Sequence, residues 1–310
     1  MGDKPLHKKV RDDIFYLLVR LFIAVLRLLP RKPALMMMKF FGRLAFRLSR
    51  GPRQRTIDHL SMVYGADIDP AEIENMARRI FIHLATAAGD MLRMPNIIRN
   101  GINRLVKTKG TEHLDRAFKA GKGTILLTCH FGNWEILGAW LAQNNYPMKV
   151  IGTTLFDPRL DRILVDIRNK AGNTNIARGK STREIIRTLK KGEAVGMLID
   201  QDTKSQGAFV NFFGKPAHTP TGPAVLARRL DVPLIPVFMY LKEDLTYQLE
   251  CLPPLDLVKT DNEESDITIN TQKCSDAYEA MIRRFPEQWV WMHKRWKTQP
   301  EQFARVPEDK

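Results

Sequence analysis

The chain has 310 residues, 44% hydrophobic and 27% charged, a balance that excludes bulk disorder and suits one large α/β domain with an added helical segment. Its net charge of +15 favours anionic partners: a nucleic acid, an anionic lipid surface or an acidic carrier protein. Cys129, Cys251 and Cys274 are odd in number and lack metal-type spacing, which argues against a disulfide-built scaffold and for a reducing compartment.

Residues 1–11 are polar and basic and read as a frayed lead. Ile14 to Leu29 is then almost wholly apolar until Pro30 and Pro33 stop it. It is shorter than the roughly 20 residues a membrane span needs, and Arg20 falls mid-run, where a charge costs about 2.5–3.5 kcal/mol. Arg20 and Arg27 stand seven apart on one helix face, placed to snorkel together. Lys39, Arg43 and Arg47 form a second stripe in a helix otherwise made of Leu, Met and Phe, the build of an interfacial helix. No small-residue cleavage site follows, so a signal peptide is disfavoured. Residues 1–50 are therefore expected to be membrane-associating helices and 51–310 an α/β domain.

From 53 to 93 the pattern is helical, with Asp69-Pro70 starting a helix and Pro95 ending one. A short strand at 106–110 and an amphipathic helix at 114–120 lead to Thr124–Cys129, a β-rich apolar run. From Trp134 to Leu141 the period turns helical, so His130 sits in a strand-to-helix loop. Open α/β sheets gather ligands at the carboxyl ends of their strands. Glu135, in the first helical turn, is expected to reach one ring nitrogen of His130 and leave the other as a general base. Cys129 and His130, as neighbours along a strand, point to opposite faces and do not suggest a Cys/His pair.

Strands at 149–153, 194–199, 234–240 and 247–252 alternate with helices at 157–170, 181–191 and 221–230, and a loop runs from Gly172 to Gly179. A charged loop near 260 and a helix at 271–285 follow. The alternation predicts an α/β fold with a mainly parallel central sheet and helices on both faces. Asp200 and Asp202 flank Gln201 at a strand end, placed to bind a cation or to cap a loop. The aromatic stretch 208–216 fits a core segment or the lining of an alkyl slot, and the tail from Trp289 to Lys297 fits a membrane interface or stacked single-stranded bases. Gly179-Lys180-Ser181 copies the end of a phosphate-binding loop, but Thr174 stands where its first glycine belongs. There is no G-x-S-x-G elbow, no H-E-x-x-H and no G-x-G-x-x-G after a strand, so neither a metal nor a nucleotide cofactor is expected.

In order and spacing, His130-Phe131-Gly132-Asn133-Trp134-Glu135, Arg168 to Gly172, Leu189 to Glu193, Asp200-Gln201-Asp202, Phe212-Phe213-Gly214, Ala217 to Gly222 and Trp291 to Thr298 resemble the late acyltransferases of lipid A biosynthesis in Gram-negative bacteria. That family lies within the wider lysophospholipid acyltransferase group, whose H-x4-D/E signature is present here in its Glu form. The resemblance covers roughly residues 50–300. Departures are the Met-rich, basic N-terminal segment and Gln201, which replaces a His found in some members.

The resemblance implies an enzyme on the cytoplasmic face of the bacterial inner membrane. It would move a fatty acyl group from acyl carrier protein to a hydroxyl of a lipid A precursor, with no cofactor and no metal. His130 and Glu135 would be catalytic, and Arg168, Asp200, Asn133 and Trp134 would meet substrate. A lysophospholipid, a mannoside glycolipid or an aminolipid are alternative acceptors. A basic nucleic-acid binder with a structural His130 is the rival class, against which the apolar run at 14–29 argues.

Overall fold

A computed structural model describes residues 6–152, 157–177 and 181–300. The chain opens with four long helices: α1 (Leu6–Leu28), α2 (Arg31–Leu48), α3 (Arg50–Tyr64) and α4 (Pro70–Leu92). Pro30 separates the first two, so the expected break is present, although α1 already begins at Leu6, inside the stretch read as a frayed lead. The carbonyls at the end of α1 are claimed by side chains at and just beyond the end of α4: Arg93 donates to Leu26 and, at 2.6 Å, to Leu29 after the helix, while Asn96 donates to Arg27 at 3.0 Å. The α1–α2 hairpin is therefore fastened to the body of the protein by helix-end hydrogen bonds. Where α2 crosses α4, Gly42 lets the backbones close up; a Cβ there would stand 2.7 Å from the Ile82 Cα.

Beyond α5 (Met94–Arg99) the α/β part runs β1 (Val106–Lys109), α6 (Thr111–Ala120), β2 (Thr124–Thr128), α7 (Trp134–Gln143), β3 (Met148–Gly152), α8 (Pro158–Lys170), β4 (Thr174–Ala177), α9 (Ser181–Lys190) and β5 (Ala194–Leu198). It finishes with β6 (Gly207–Phe212), β7 (Lys215–Pro220), α10 (Gly222–Leu230), β8 (Leu234–Leu241), β9 (Tyr247–Cys251) and α11 (Glu263–Arg284). The main sheet has the order β1-β9-β8-β2-β5-β3-β4. Its pairs are parallel except β8 with β9. The expected mainly parallel sheet is thus the observed one.

Alternate residues of β2 face opposite cores, as a pleated strand requires. Ile125 and Leu127 pack with Leu60 of α3, Ile80 of α4 and Tyr278 of α11, whereas Leu126 packs with Leu114 of α6 and Leu137 of α7. Helices therefore cover both faces.

Two local expectations are corrected, and one left open between two readings resolves to core. The loop expected from 172 to 179 contains β4, which pairs with β3 from Lys149↔Thr174 to Gly152↔Ala177. The aromatic stretch 208–216 is the turn and much of an antiparallel hairpin, β6–β7, with Phe212 and Phe213 in the core. The helix expected from 271 begins at Glu263, capped by the Asn262 side chain, which accepts from Ser265 N at 3.1 Å. The charges read as a loop are largely first-turn acids, Glu263, Glu264 and Asp266, which suit a helix dipole.

Candidate active site

Strands β2 and β5 are parallel neighbours paired up to Thr128↔Leu198. Carried two residues further, this register sets His130 beside Asp200. Oδ1 of Asp200 lies 2.9 Å from His130 Nδ1, and Oδ2 accepts from the His130 amide at 2.9 Å and from the Trp289 indole N–H at 2.8 Å. The ionised carboxylate can only accept, so the ring hydrogen belongs on Nδ1 and Nε2 keeps its lone pair. The Asp200 side chain is 1% exposed and that of His130 is 27% exposed.

Burial opposes a charge on the imidazole, but the charge and hydrogen bond of Asp200, then the charge of Glu135, outweigh it and leave the His130 pKa raised. Burial would likewise lift Asp200, yet His130 and the hydrogen bonds from Trp289 and the His130 amide bring its pKa down. This is a polarised imidazole held by a buried carboxylate.

The expected pairing of Glu135 with His130 is not made. Glu135 oxygens accept from Arg168 in a fork, Nε at 2.9 Å and Nη2 at 2.5 Å, with 18% of the arginine and 13% of the glutamate side chain exposed. The physical reason is the competition: the Nδ1 side of the ring faces β5, where Asp200 already stands, and a guanidinium matches two carboxylate oxygens better than one ring nitrogen does. Burial lowers the Arg168 pKa, but Glu135 and Asp161 more than restore it. Glu135 acts on His130 through its charge alone.

The loop between His130 and α7 is held rigidly. Gly132 has φ +59°, and a Cβ there would lie 1.8 Å from the Met239 carbonyl oxygen. Its amide donates to Gln288 O at 2.7 Å, and its carbonyl faces His83 Nε2 at 3.2 Å. Burial drops the His83 pKa to about 4, so that ring is neutral at pH 7 and donates. Replacing Gly132 by Ala is expected to lower unfolding free energy by more than about 2 kcal/mol through left-handed backbone strain and that clash; chemical denaturation would measure it, and a loss under about 0.5 kcal/mol would contradict the geometry.

Asn133, expected to touch substrate, is instead 2% exposed and structural. Its Oδ1 caps Ile136 N at 3.1 Å, its amide donates to Ala87 O and Tyr247 Oη, and its backbone N–H donates to Met239 O. Tyr247 in turn donates to the buried Asp90, which holds Arg31 of α2 in a fork. Trp134 is half-buried with its ring edge-on to His130, centroids 5.2 Å apart. Among the described residues, the Trp134 and Glu135 amides at the head of α7 meet no protein acceptor.

Of the two roles open to Asp202, the structure shows the capping one. Asp202 caps the chain after the tail, accepting from Thr298 N at 2.9 Å and Thr298 Oγ1 at 3.1 Å. No group of residues among those described is arranged to hold a metal ion. Cys129 is buried and its thiol is pushed well above the usual range by burial and by Asp200, which removes it as a nucleophile. Gly179 and Lys180 lie outside the described residues. The tail read as an interface is core: Trp289, Trp291 and Arg295 are each 1% exposed or less. Trp289, Tyr247, Asp90 and His83 support the site and carry no local sequence signal, because their partners lie more than forty residues away.

The family model described as bacterial lipid A biosynthesis acyltransferase matches residues 3–298. The chain is 27% identical over 277 residues to a phosphatidylinositol mannoside acyltransferase of Mycolicibacterium smegmatis, covering 87% of this chain and 88% of that one. It is 32% identical over 214 residues to the lipid A biosynthesis lauroyltransferase of Escherichia coli and 29% over 202 residues to the palmitoleoyltransferase of the same organism, each covering 64% of both chains.

Proposed function

Because the chain belongs to the bacterial lipid A biosynthesis acyltransferase family, and is therefore an O-acyltransferase, we propose that it moves a fatty acyl group from an acyl carrier protein thioester to a hydroxyl of a lipid A precursor at the membrane. The observation that carries this reading is the His130–Asp200 pair, whose buried carboxylate fixes Nδ1 while the ring stays partly open to solvent. Nε2 takes the proton of the acceptor hydroxyl as its oxygen attacks the thioester carbonyl. The new C–O bond forms, the C–S bond breaks, and the imidazolium returns its proton to the departing thiolate. The Trp134 and Glu135 amides, at the positive end of α7, are the candidate donors for the transient oxyanion. Arg168, forked to Glu135 beside His130, is the candidate partner for an acceptor phosphate.

A mannoside glycolipid is the second acceptor to consider, since the mycobacterial mannoside acyltransferase matches over more of the chain than the Escherichia coli enzymes do. The decisive assay offers the purified protein acyl carrier protein thioesters of several chain lengths with either a lipid A precursor or a phosphatidylinositol mannoside and weighs the products. An acylated lipid A precursor supports the proposal, acylated mannoside alone transfers it to the second acceptor, and no transfer from any thioester rejects both. A nucleic-acid role loses one of its supports, because Trp289 and Trp291 of the tail are buried and cannot stack on bases.

Among the described residues no helix is long and apolar enough to cross a membrane. The proposed membrane contact is instead lateral. Met36, Phe40, Leu44 and Leu48 form an exposed stripe along α2, and Leu17, Leu18, Leu21 and Leu28 are exposed on α1. Exposed Arg43 and Arg47 accompany the α2 stripe, the arrangement of a helix lying in a headgroup layer. Burying a Phe or Leu side chain is worth about 1.5–3 kcal/mol. Phe40→Asp with Leu44→Asp is therefore expected to weaken co-sedimentation with phosphatidylethanolamine–phosphatidylglycerol vesicles by more than about tenfold. Unchanged sedimentation would remove this face from the account.

A further inference from the structure

The tail segment 288–290 lies across the catalytic loop like an added strand. Phe131 and Trp289 form an antiparallel bridge, Gly132 N donates to Gln288 O at 2.7 Å, and Val290 N donates to His130 O at 3.2 Å. From that position the Trp289 indole donates to Oδ2 of Asp200 at 2.8 Å. One three-residue stretch thus grips the backbone of the histidine and the side chain of its carboxylate partner. Among the described residues only His130 and Trp289 donate hydrogen bonds to that carboxylate.

A buried indole needs an acceptor, so the plain alternative is that Asp200 merely satisfies Trp289. The same tail shows that a carboxylate is not required for this. Trp291, equally buried, donates its indole N–H to the Pro286 carbonyl at 2.7 Å. What is particular at Trp289 is the acceptor: a carboxylate 1% exposed whose other oxygen receives the imidazole N–H. With Oδ2 held by two donors, Oδ1 is aimed at Nδ1 and the carboxylate cannot swing away.

We propose that Trp289 is a positioning residue for acyl transfer, fixing the rotation of Asp200 and limiting its pull on the His130 proton through the indole hydrogen bond. This rests on the acyltransfer reading and on the general-base role given to His130. The ionisable groups facing the pair from neighbouring elements are Cys129 after β2, Glu135 on α7, Tyr278 on α11, and His293 and Arg295 on the tail. None of them hydrogen-bonds to the Asp200 side chain, so deleting the indole N–H alters the one donor outside the histidine itself among the described residues.

The test is Trp289→Phe, which keeps an aromatic ring and removes the donor, set beside Trp291→Phe, which removes an equally buried indole donor bonded elsewhere. With one donor gone, the carboxylate becomes a stronger acceptor for the imidazolium. In Trp289→Phe, kcat is expected to fall about tenfold with KM within about twofold, and the acidic limb of the rate profile to move up by about half to one pH unit. Trp291→Phe leaves that limb in place. A limb that stays put or moves down in Trp289→Phe, or moves equally in Trp291→Phe, overturns the proposal. Nitrogen-15 NMR titration of His130 in both variants and the parent decides the same point without turnover: an upward pKa displacement in Trp289→Phe alone upholds it, and no displacement overturns it. If the parent transfers no acyl group, the functional reading falls by that assay, while the NMR arm still decides whether Trp289 tunes the pair.

Discussion

His130→Ala is expected to reduce acyl transfer by about 10³–10⁴ or more while leaving a folded protein. The loss would be chemical because the ring is the proposed base; the fold survives because the imidazole is 27% exposed and Asp200 retains donors at the His130 amide and the Trp289 indole. The pH behaviour of the parent follows from the direction of the His130 shift. The base must be unprotonated and its pKa is raised, so activity should climb with pH through a limb above 6.5, the ordinary imidazole value.

Stability has the opposite sign for the same group. A raised histidine pKa stabilises fully below 6.5 and its contribution is lost as pH rises through the folded value, whereas the lowered Asp200 pKa stabilises above 3.8 and is lost as pH falls. The variant should therefore trail the parent most between about pH 4 and 6.5 and least once the pH has risen past the folded-state His130 value. Steady-state rates and thermal melts across pH check both statements. Full activity in His130→Ala would end the general-base proposal.

The strand and helix around His130 are legible because a short continuous apolar run, Thr124–Cys129, gives way to helical spacing from Trp134 onward. The partner of the histidine is not. A carboxylate five residues away in a helix's first turn looks closer than one seventy residues away, yet adjacency in a parallel sheet is set by strand order, and β5 lies next to β2. The strand-end placement of Asp200 was readable; its register against His130 was not. The tail failed for a different reason. Tryptophans mixed with Lys and Arg have the same composition whether they face a lipid interface or close a core, and only the contacts of Trp289 with Phe131 and Phe212 separate the two. Strand β4 is not legible because its four residues, between Gly172 and the basic sequence Arg178-Gly179-Lys180, carry no period long enough to read.

Which of the two acids orients the imidazole can be decided by exchanging each for its amide. Asp200→Asn is nearly isosteric, but its consequences follow from the three donors around it. The His130 amide and the Trp289 indole both point at the Oδ2 position, so the one oxygen of an asparagine must sit there and its NH2 must face Nδ1. A ring nitrogen met by a donor has to accept, which moves the imidazole hydrogen to Nε2 and leaves no lone pair for the acceptor hydroxyl. A wrong tautomer of this kind costs about 10⁴ in kcat. Glu135→Gln keeps one acceptor for Arg168 and removes only a distant charge from His130, so its kcat should fall by less than about 10² and its acidic limb should move down. Measured side by side, a larger loss in Glu135→Gln than in Asp200→Asn would return the orienting role to the helix carboxylate. The expected order gives it to the strand-end carboxylate and leaves Glu135 to hold Arg168 at the mouth of the site.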